Sequence, residues 1–280
     1  MKKSYELRGG AVKPAVSLTF DLEWWGRAHM VRAGAAHFPD GLRADQEATD
    51  KILEILGRQQ LEATFFVVAG DWPPEDIKRI AKQGHEIASH SVTHPHMAKL
   101  GRSKWKEELR ESKDQLEQVI GKRVSGFRAP SWSIPYDRYE EWMEAVGEAG
   151  YKYDSSVSSF KSPLYGDGRF PTKPERFKNG VVEFPLPTLG WPKAPWVGGF
   201  YFRVIPLRLL SLWVGQEIPS FFYFHPWEFY PRKTESDTLL GRASLRYGKL
   251  SALRKLESLI TIINARAKVQ TLRKQAANKI

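Results

Sequence analysis

Gly84-His85-Glu86-Ile87-Ala88-Ser89-His90-Ser91-Val92-Thr93-His94 holds the pattern on which the reading of this chain turns. Upstream, Pro73-Pro74 opens a helical pattern that runs to Gln83, and Gly84 closes it, with proline at the start and glycine at the end as helix termini prefer. Glu86 to Ser89 then reads as a short strand, and His90 and His94 sit at its C-terminal end. A helix feeding a short apolar strand is the repeating unit of a parallel α/β fold.

The unit recurs along the chain. Val16 to Asp21 reads as a first strand, and Asp45 as the N-cap of a helix carrying Ile52, Leu53, Ile55 and Leu56. Ala63 to Val68 is a second strand. Helices are expected over 103–120, ended by Gly121, and over 137–149, ended by Gly150. Strands follow them at Val124 to Arg128 and at Tyr151 to Tyr153. Residues 155–200 read as mostly loop with a strand at Val181 to Phe184, and Phe221-Phe222-Tyr223-Phe224 as a buried strand ending at His225. Asp21, His90, Arg128, Asp154 and His225 all fall at or just past strand ends. In a parallel α/β barrel that is the face on which active sites are built.

Composition narrows the field. The 280 residues, 41% of them hydrophobic, suit one α/β domain with a sizeable core. The absence of cysteine excludes disulfides and thiolate metal sites. The start, Met1-Lys2-Lys3, has no apolar run behind it, and no stretch approaches a membrane span, so the expected location is cytoplasmic. Charge is uneven: residues 241–280 carry ten Lys/Arg and a single acid, Glu257, whereas residues 1–240 are nearly neutral. A nucleic-acid binder would spread that charge differently, and none is expected as a partner. The expected organisation is a catalytic unit over 1–240 and a basic amphipathic helical segment over 241–280. Leu253, Leu256, Leu259, Ile260, Ile263 and Ala267 form the apolar stripe of that segment. Its basic face is expected to touch an anionic membrane surface or a lipid-linked glycan, and self-association is left open.

The chemistry lies in the polar residues. Asp21 and Glu23 are two apart, so an extended backbone turns both carboxylates to one side. Two histidines and one carboxylate would fill three positions on a divalent cation such as zinc, and a second carboxylate could manage the proton of a water. Either acid alone reads as a helix cap or loop acid, and a lone His-x-x-x-His is a weak signal. His85 reads as structural, and His29 and His37 as lining a cleft or nothing. Arg128, entering a turn rigidified by Pro130, fits a clamp on a carboxylate or a surface charge over Phe127. Trp132 fits a wall for a sugar ring or ordinary packing. Asp154 fits a turn cap or an orienting partner for Arg128 or His225. His225 is the candidate general acid, set against the reading of a satisfied core histidine.

Together these segments resemble the polysaccharide deacetylase family, the nodulation-protein-B homology domain of carbohydrate esterases. The resemblance rests on Thr19-Phe20-Asp21-Leu22-Glu23, Ala63-Thr64-Phe65-Phe66-Val67, the Gly84–His94 run, Phe127-Arg128-Ala129-Pro130-Ser131-Trp132 and Tyr153-Asp154-Ser155-Ser156. It is dense over residues 16–160, and His225 extends it. Gly198-Gly199-Phe200-Tyr201-Phe202-Arg203 and Phe222–Glu228 are similar to the branch found beside extracellular-polysaccharide and exosortase loci.

The resemblance implies a deformed (β/α) barrel that removes N-acetyl groups from amino sugars of a glycan with the help of a divalent metal. In the family's first motif two aspartates are adjacent, whereas here Leu22 separates Asp21 from Glu23. By the variant form of that motif, Glu23 joins His90 and His94 on the metal and Asp21 is the base, although the sequence alone would allow the two roles to be exchanged. Arg128 and Asp154 would support catalysis and His225 would protonate the leaving amine. Backbone near Pro130 and Trp132 would stabilise the oxyanion, and Trp132 and Trp227 would face pyranose rings. Two other readings compete, a related barrel acting on a cyclic imide or ureide and a carbohydrate-binding barrel without activity.

Overall fold

Strand β1, Ala15–Leu22, is buried from Val16 to Leu22, so both of its faces are covered. Its residues nonetheless alternate, Val16, Leu18, Phe20 and Leu22 with Ser17, Thr19 and Asp21, so one of the two covered faces is apolar and the other polar. The computed structural model describes residues 13–24, 43–162, 165–191, 193–230 and 249–278. His29, His37 and residues 241–248 of the basic segment lie outside them.

After β1 come α1 (Arg43–Arg58), β2 (Thr64–Val67), α2 (Pro74–Lys82), β3 (Glu86–Ser89) and α3 (Arg102–Ile120). Next are β4 (Gly126–Phe127), α4 (Tyr139–Glu148), β5 (Tyr153–Asp154), β6 (Glu175–Arg176) and β7 (Val182–Glu183). The chain then forms α5 (Gly199–Val204), α6 (Leu207–Gln216), β8 (Phe221–Phe224), α7 (Lys249–Arg266), β9 (Lys268–Val269) and α8 (Leu272–Asn278). Among the described residues the sheet has nine strands in the order β6-β7-β5-β4-β3-β2-β1-β8, with β9 also on β1. All neighbours are parallel except β6 and β7. The result is a barrel deformed and open between β6 and β8, and the polar residues gather at its C-terminal rim.

Helix burial follows the expected period. Ala48, Ile52, Ile55 and Leu56 of α1 face the sheet, as do Trp105, Leu109 and Leu116 of α3. Gly121 ends α3 in the left-handed conformation at φ 66°, which glycine adopts without steric cost.

Four details depart from the sequence reading. Asp45 lies inside the first turn of α1 and is buried rather than preceding the helix. The strand expected at Tyr151 to Tyr153 is displaced to Tyr153–Asp154, which draws Asp154 into the sheet. Helices α5 and α6 went unseen because α5 is six residues long and α6 buries Leu210 and Val214 while exposing Leu209 and Leu212, so no clean stripe marks it. Strand β6 is a two-residue element of exposed charged residues.

The C-terminal segment is joined to the sheet. Ala252, Leu256, Leu259, Ile260 and Ile263 of α7 are buried, and β9 pairs with Ala15 and Val16. Helix α8 then covers the N-terminal end of the barrel through polar contacts. The Leu272 N–H donates to Thr64 Oγ1 at 3.0 Å and the Arg273 N–H to Glu86 Oε2 at 3.0 Å. Thr64 Oγ1 and the Tyr153 hydroxyl also donate to Glu86, at 2.8 and 3.0 Å, and burial pushes the Glu86 carboxyl pKa upward. Gln275 Nε2 donates to Ser17 Oγ and to the Ser220 carbonyl. Among the described residues no helix is long and apolar enough to cross a membrane.

Glu86→Ala is expected to strand three donors, the buried Thr64 and Tyr153 hydroxyls and the part-buried Arg273 N–H. Each unsatisfied buried group costs about 1–3 kcal/mol, so the urea midpoint should fall well below that of Glu86→Gln, which keeps an acceptor.

Candidate active site

Thr19, Asp21 and Glu23 alternate along β1 and its continuation, and the two-residue period brings all three to one side. Asp21 and Glu23 are 1% and 5% exposed. At that burial neither carboxylate is a solvated loop acid, and each needs partners.

Asp21 finds Arg128, which is fully buried at the end of β4. Its Nη1 donates to Asp21 Oδ1 at 2.6 Å and to Thr19 Oγ1 at 3.1 Å, and Nη2 donates to Ser155 Oγ at 3.2 Å. The guanidinium lies 4.0 Å from the Phe66 ring centroid. It is a clamp, not a surface charge over Phe127.

Glu23 meets the histidines. Its Oε2 lies 2.5 Å from His94 Nε2 and 3.9 Å from His90 Nε2. Ligand atoms of Glu23, His90 and His94 all fall within 4.8 Å of one another. His94 reaches this place at φ 56°, with its N–H donating to Ser91 Oγ, so a left-handed turn folds the second imidazole back over the first. Nδ1 of His90 is 2.8 Å from the Arg128 carbonyl, an acceptor only, so Nδ1 carries the proton and Nε2 presents its lone pair. Burial lowers the His90 pKa to about 4, which keeps the ring neutral. Burial opposes ionisation of Glu23, but His94 and then His225 outweigh it and hold the carboxyl well below the usual range. Two imidazoles and a carboxylate, buried and convergent, are the donor set that a zinc-like divalent cation takes.

His225 closes the ring of groups. Its Nε2 stands 3.5 Å from Glu23 Oε1 and 4.0 Å from Asp21 Oδ2. Burial disfavours its charge, yet Glu23, Glu228 and Asp21 together raise its pKa to about 9. The imidazole is therefore charged at neutral pH and able to give up a proton. Trp227 stacks on it with centroids 4.9 Å apart and planes 20° from parallel, so one face of that indole is taken by His225.

Other expected members stand apart. Both oxygens of Asp154 are occupied elsewhere, Oδ2 by Trp142 Nε1 at 2.7 Å and Oδ1 by Ser156 Oγ at 2.6 Å. Burial pushes the carboxyls of Asp154 and Glu183 up together, Glu183 further because Asp154 faces it. Asp154 thus supports the floor: Ser156 Oγ accepts the Ala129 N–H, and the neighbouring Ser155, not Asp154, holds Arg128. Pro130 and Trp132 are buried, and the Trp132 ring packs edge-on against Tyr223 at 4.7 Å. The Trp132 N–H donates to the Ala129 carbonyl at 3.2 Å, which commits it inside the turn rather than to an oxyanion. His85 is structural as expected, its Nδ1 accepting the Ala63 N–H. Thr19, Ser155 and Glu228 were missed. Position i−2 from Asp21 was the available clue for Thr19, and position i+3 from His225 for Glu228.

A family model described as polysaccharide deacetylase matches residues 8–153, and a second, described only as a domain of unknown function, matches residues 155–274. A peptidoglycan deacetylase-like protein of Gibberella zeae is 28% identical over 235 residues, 80% of this chain and 63% of that protein. A peptidoglycan-N-acetylglucosamine deacetylase of Bacillus cereus is 30% identical over 135 residues, 48% of this chain and 42% of that protein. The chain thus spans less than two thirds of the length of these curated relatives. Among solved structures, a Mycobacterium smegmatis protein provisionally assigned as a polysaccharide deacetylase aligns with a TM-score of 0.63. That alignment covers 99% of this chain and 94% of the other at 19% identity, a likeness of fold.

Two substitutions separate the roles of the acids and imidazoles. His94→Ala is expected to abolish stoichiometric zinc binding, whereas Asp21→Asn should retain it, as measured by elemental analysis and titration calorimetry. Retained zinc in a His90→Ala, His94→Ala double variant would remove the assignment.

Proposed function

The chain belongs to the polysaccharide deacetylase family, and from that premise we propose that it is a metal-dependent hydrolase removing N-acetyl groups from amino sugars of a glycan. The observation that carries the reading is the convergence of Glu23, His90 and His94 on one point, with Asp21 and His225 flanking it. The relatives' names, which include deacetylases of peptidoglycan, support the class of substrate.

Glu23, His90 and His94 would hold the cation, for which zinc fits best among common divalent ions because two of three donors are imidazoles. When bound, such an ion supplies Lewis acidity toward an amide carbonyl and lowers the pKa of a nearby water. Asp21 takes the proton from the attacking water. Arg128 keeps its carboxylate in one orientation through Oδ1 and leaves Oδ2 facing His225. As the carbon–nitrogen bond breaks, His225 Nε2 gives its proton to the leaving nitrogen, and acetate and a free amine result. Trp227, half-buried and stacked on His225, is the candidate contact for a sugar ring.

The decisive experiment is acetate release from chitooligosaccharides and peptidoglycan fragments, with activity lost on chelation and restored by zinc. Asp21→Asn should abolish turnover, and His225→Ala should lower kcat by about 10²–10⁴-fold. His225 is charged below its pKa of about 9, so its proton is available at neutral pH and lost as pH rises through that value. A cation beside it lowers the value, which places the alkaline limb of kcat at or below pH 9. His225→Ala should remove that limb.

We also propose reversible contact of the basic segment with anionic lipid. Lys255 is committed to the Phe202 and Ile205 carbonyls and Lys274 to Glu62, while Arg254, Arg266, Lys268 and Arg273 are exposed. Each cation near such a surface contributes about 1 kcal/mol. Co-sedimentation with anionic vesicles should exceed that with neutral ones and fall at high salt, and equal partitioning would leave only the packing role.

A further inference from the structure

The two C-terminal motifs, Gly198 to Arg203 and His225 to Glu228, meet in space around a buried carboxylate that the mechanism has not used. Glu228 is 2% exposed. It lies in the 3₁₀ turn Pro226–Phe229, whose three residues per turn eclipse positions i and i+3 and so bring Glu228 back against His225. Glu228 Oε2 accepts the His225 backbone N–H at 3.0 Å and stands 3.6 Å from His225 Nδ1, the nitrogen facing away from Asp21 and Glu23.

The first motif makes room for this arrangement. A Cβ on Gly198 would lie 1.7 Å from the Tyr223 carbonyl oxygen, so only glycine lets α5 approach β8 there. Gly199 sits at φ 59°, and a Cβ on it would come 2.8 Å from the Tyr223 hydroxyl and 3.5 Å from Glu228 Oε1. That close approach also brings buried Arg203 within electrostatic reach of Glu228, which a carboxylate removed from water requires. Asp154, the other acid weighed as a partner for His225, is held by Trp142 and Ser156.

We infer that Glu228 is a positioning residue of the reaction: through the imidazole Nδ1 and backbone N–H of His225 it aims Nε2 at the nitrogen that leaves. This rests on the N-deacetylase reading. The step it serves breaks the carbonyl carbon–nitrogen bond, the nitrogen taking both bonding electrons and the Nε2 proton, while the water oxygen stays on the acetyl carbon. An ester with a good leaving group, such as 4-nitrophenyl acetate, needs no such proton, because its phenolate departs as an anion. Glu228 therefore matters for the amide and little for the ester.

The test compares zinc-loaded wild type, Glu228→Ala, Glu228→Gln and His225→Ala on chitooligosaccharides, peptidoglycan fragments and 4-nitrophenyl acetate, with zinc content and Tm measured on each. Outer partners of this kind are worth about 10–100-fold. Glu228→Ala should lose that much kcat on the amide at nearly unchanged KM, with ester hydrolysis close to wild type and zinc retained. Glu228→Gln, which keeps an acceptor for the His225 N–H, should recover part of the loss. In the His225→Ala background, Glu228→Ala should cost nothing further. Equal losses on amide and ester, or an undiminished amide rate, would overturn the positioning role alone. A wild-type enzyme active on the ester and inert on every N-acetylated glycan would instead sink the N-deacetylase reading, and this inference with it.

Discussion

A guanidinium with no exposure to solvent organises the catalytic end of this molecule. Arg128 is buried at the barrel rim with one carboxylate, Asp21, as its charge partner and two hydroxyls, Thr19 and Ser155, as neutral acceptors. Removing a charge from water is costly, and removing one partner of such a pair costs about 3–5 kcal/mol because the other is left uncompensated. The pair therefore ties three elements to one another: β1 through Thr19 and Asp21, β4 through Arg128, and the end of β5 through Ser155. The carbonyl of the same arginine sets the tautomer of His90, so one residue orients both the carboxylate and an imidazole.

The opposite end of the barrel is closed by chain from the last thirty or so residues. Helix α8 places its first N–H groups on Thr64 and Glu86, and Gln275 reaches Ser17 and Ser220. These contacts touch β1, β2, β3 and β8 below the site. Conserving the geometry at the rim requires those strands to hold their register, and buried polar networks specify register more narrowly than apolar packing does, since each donor has one acceptor within reach. The basic segment thus has an internal role for Lys255, whose Nζ donates to the Phe202 and Ile205 carbonyls, separate from whatever its exposed cations meet.

Much of the catalytic rim was legible in the chain. Strand period placed Asp21 and Glu23 together, and the glycine, strand and histidine order around residues 84–94 placed both imidazoles at a strand end. The same reasoning began β5 two residues early, because Tyr151 and Tyr153 favour a pleated strand equally well, yet left Asp154 at the strand's end. It left Trp132 between a wall for a sugar ring and ordinary packing, since nothing local shows that Tyr223, ninety-one positions on, packs against it. It passed over α6, whose leucines point both inward and outward.

Local sequence determined the order of helices and strands, the face on which the polar residues emerge and the set of donors able to hold a cation. These follow from side-chain period, glycine and proline punctuation and ligand chemistry, all acting over a few residues. Tertiary structure decided the long-range pairings: Arg128 with Asp21 and Ser155, Asp154 with Trp142 rather than His225, and the C-terminal helix with Glu86. The physical reason is that a buried charge or donor is satisfied by whichever group packing brings within about 3 Å. That proximity depends on how strands distant in sequence align in one sheet.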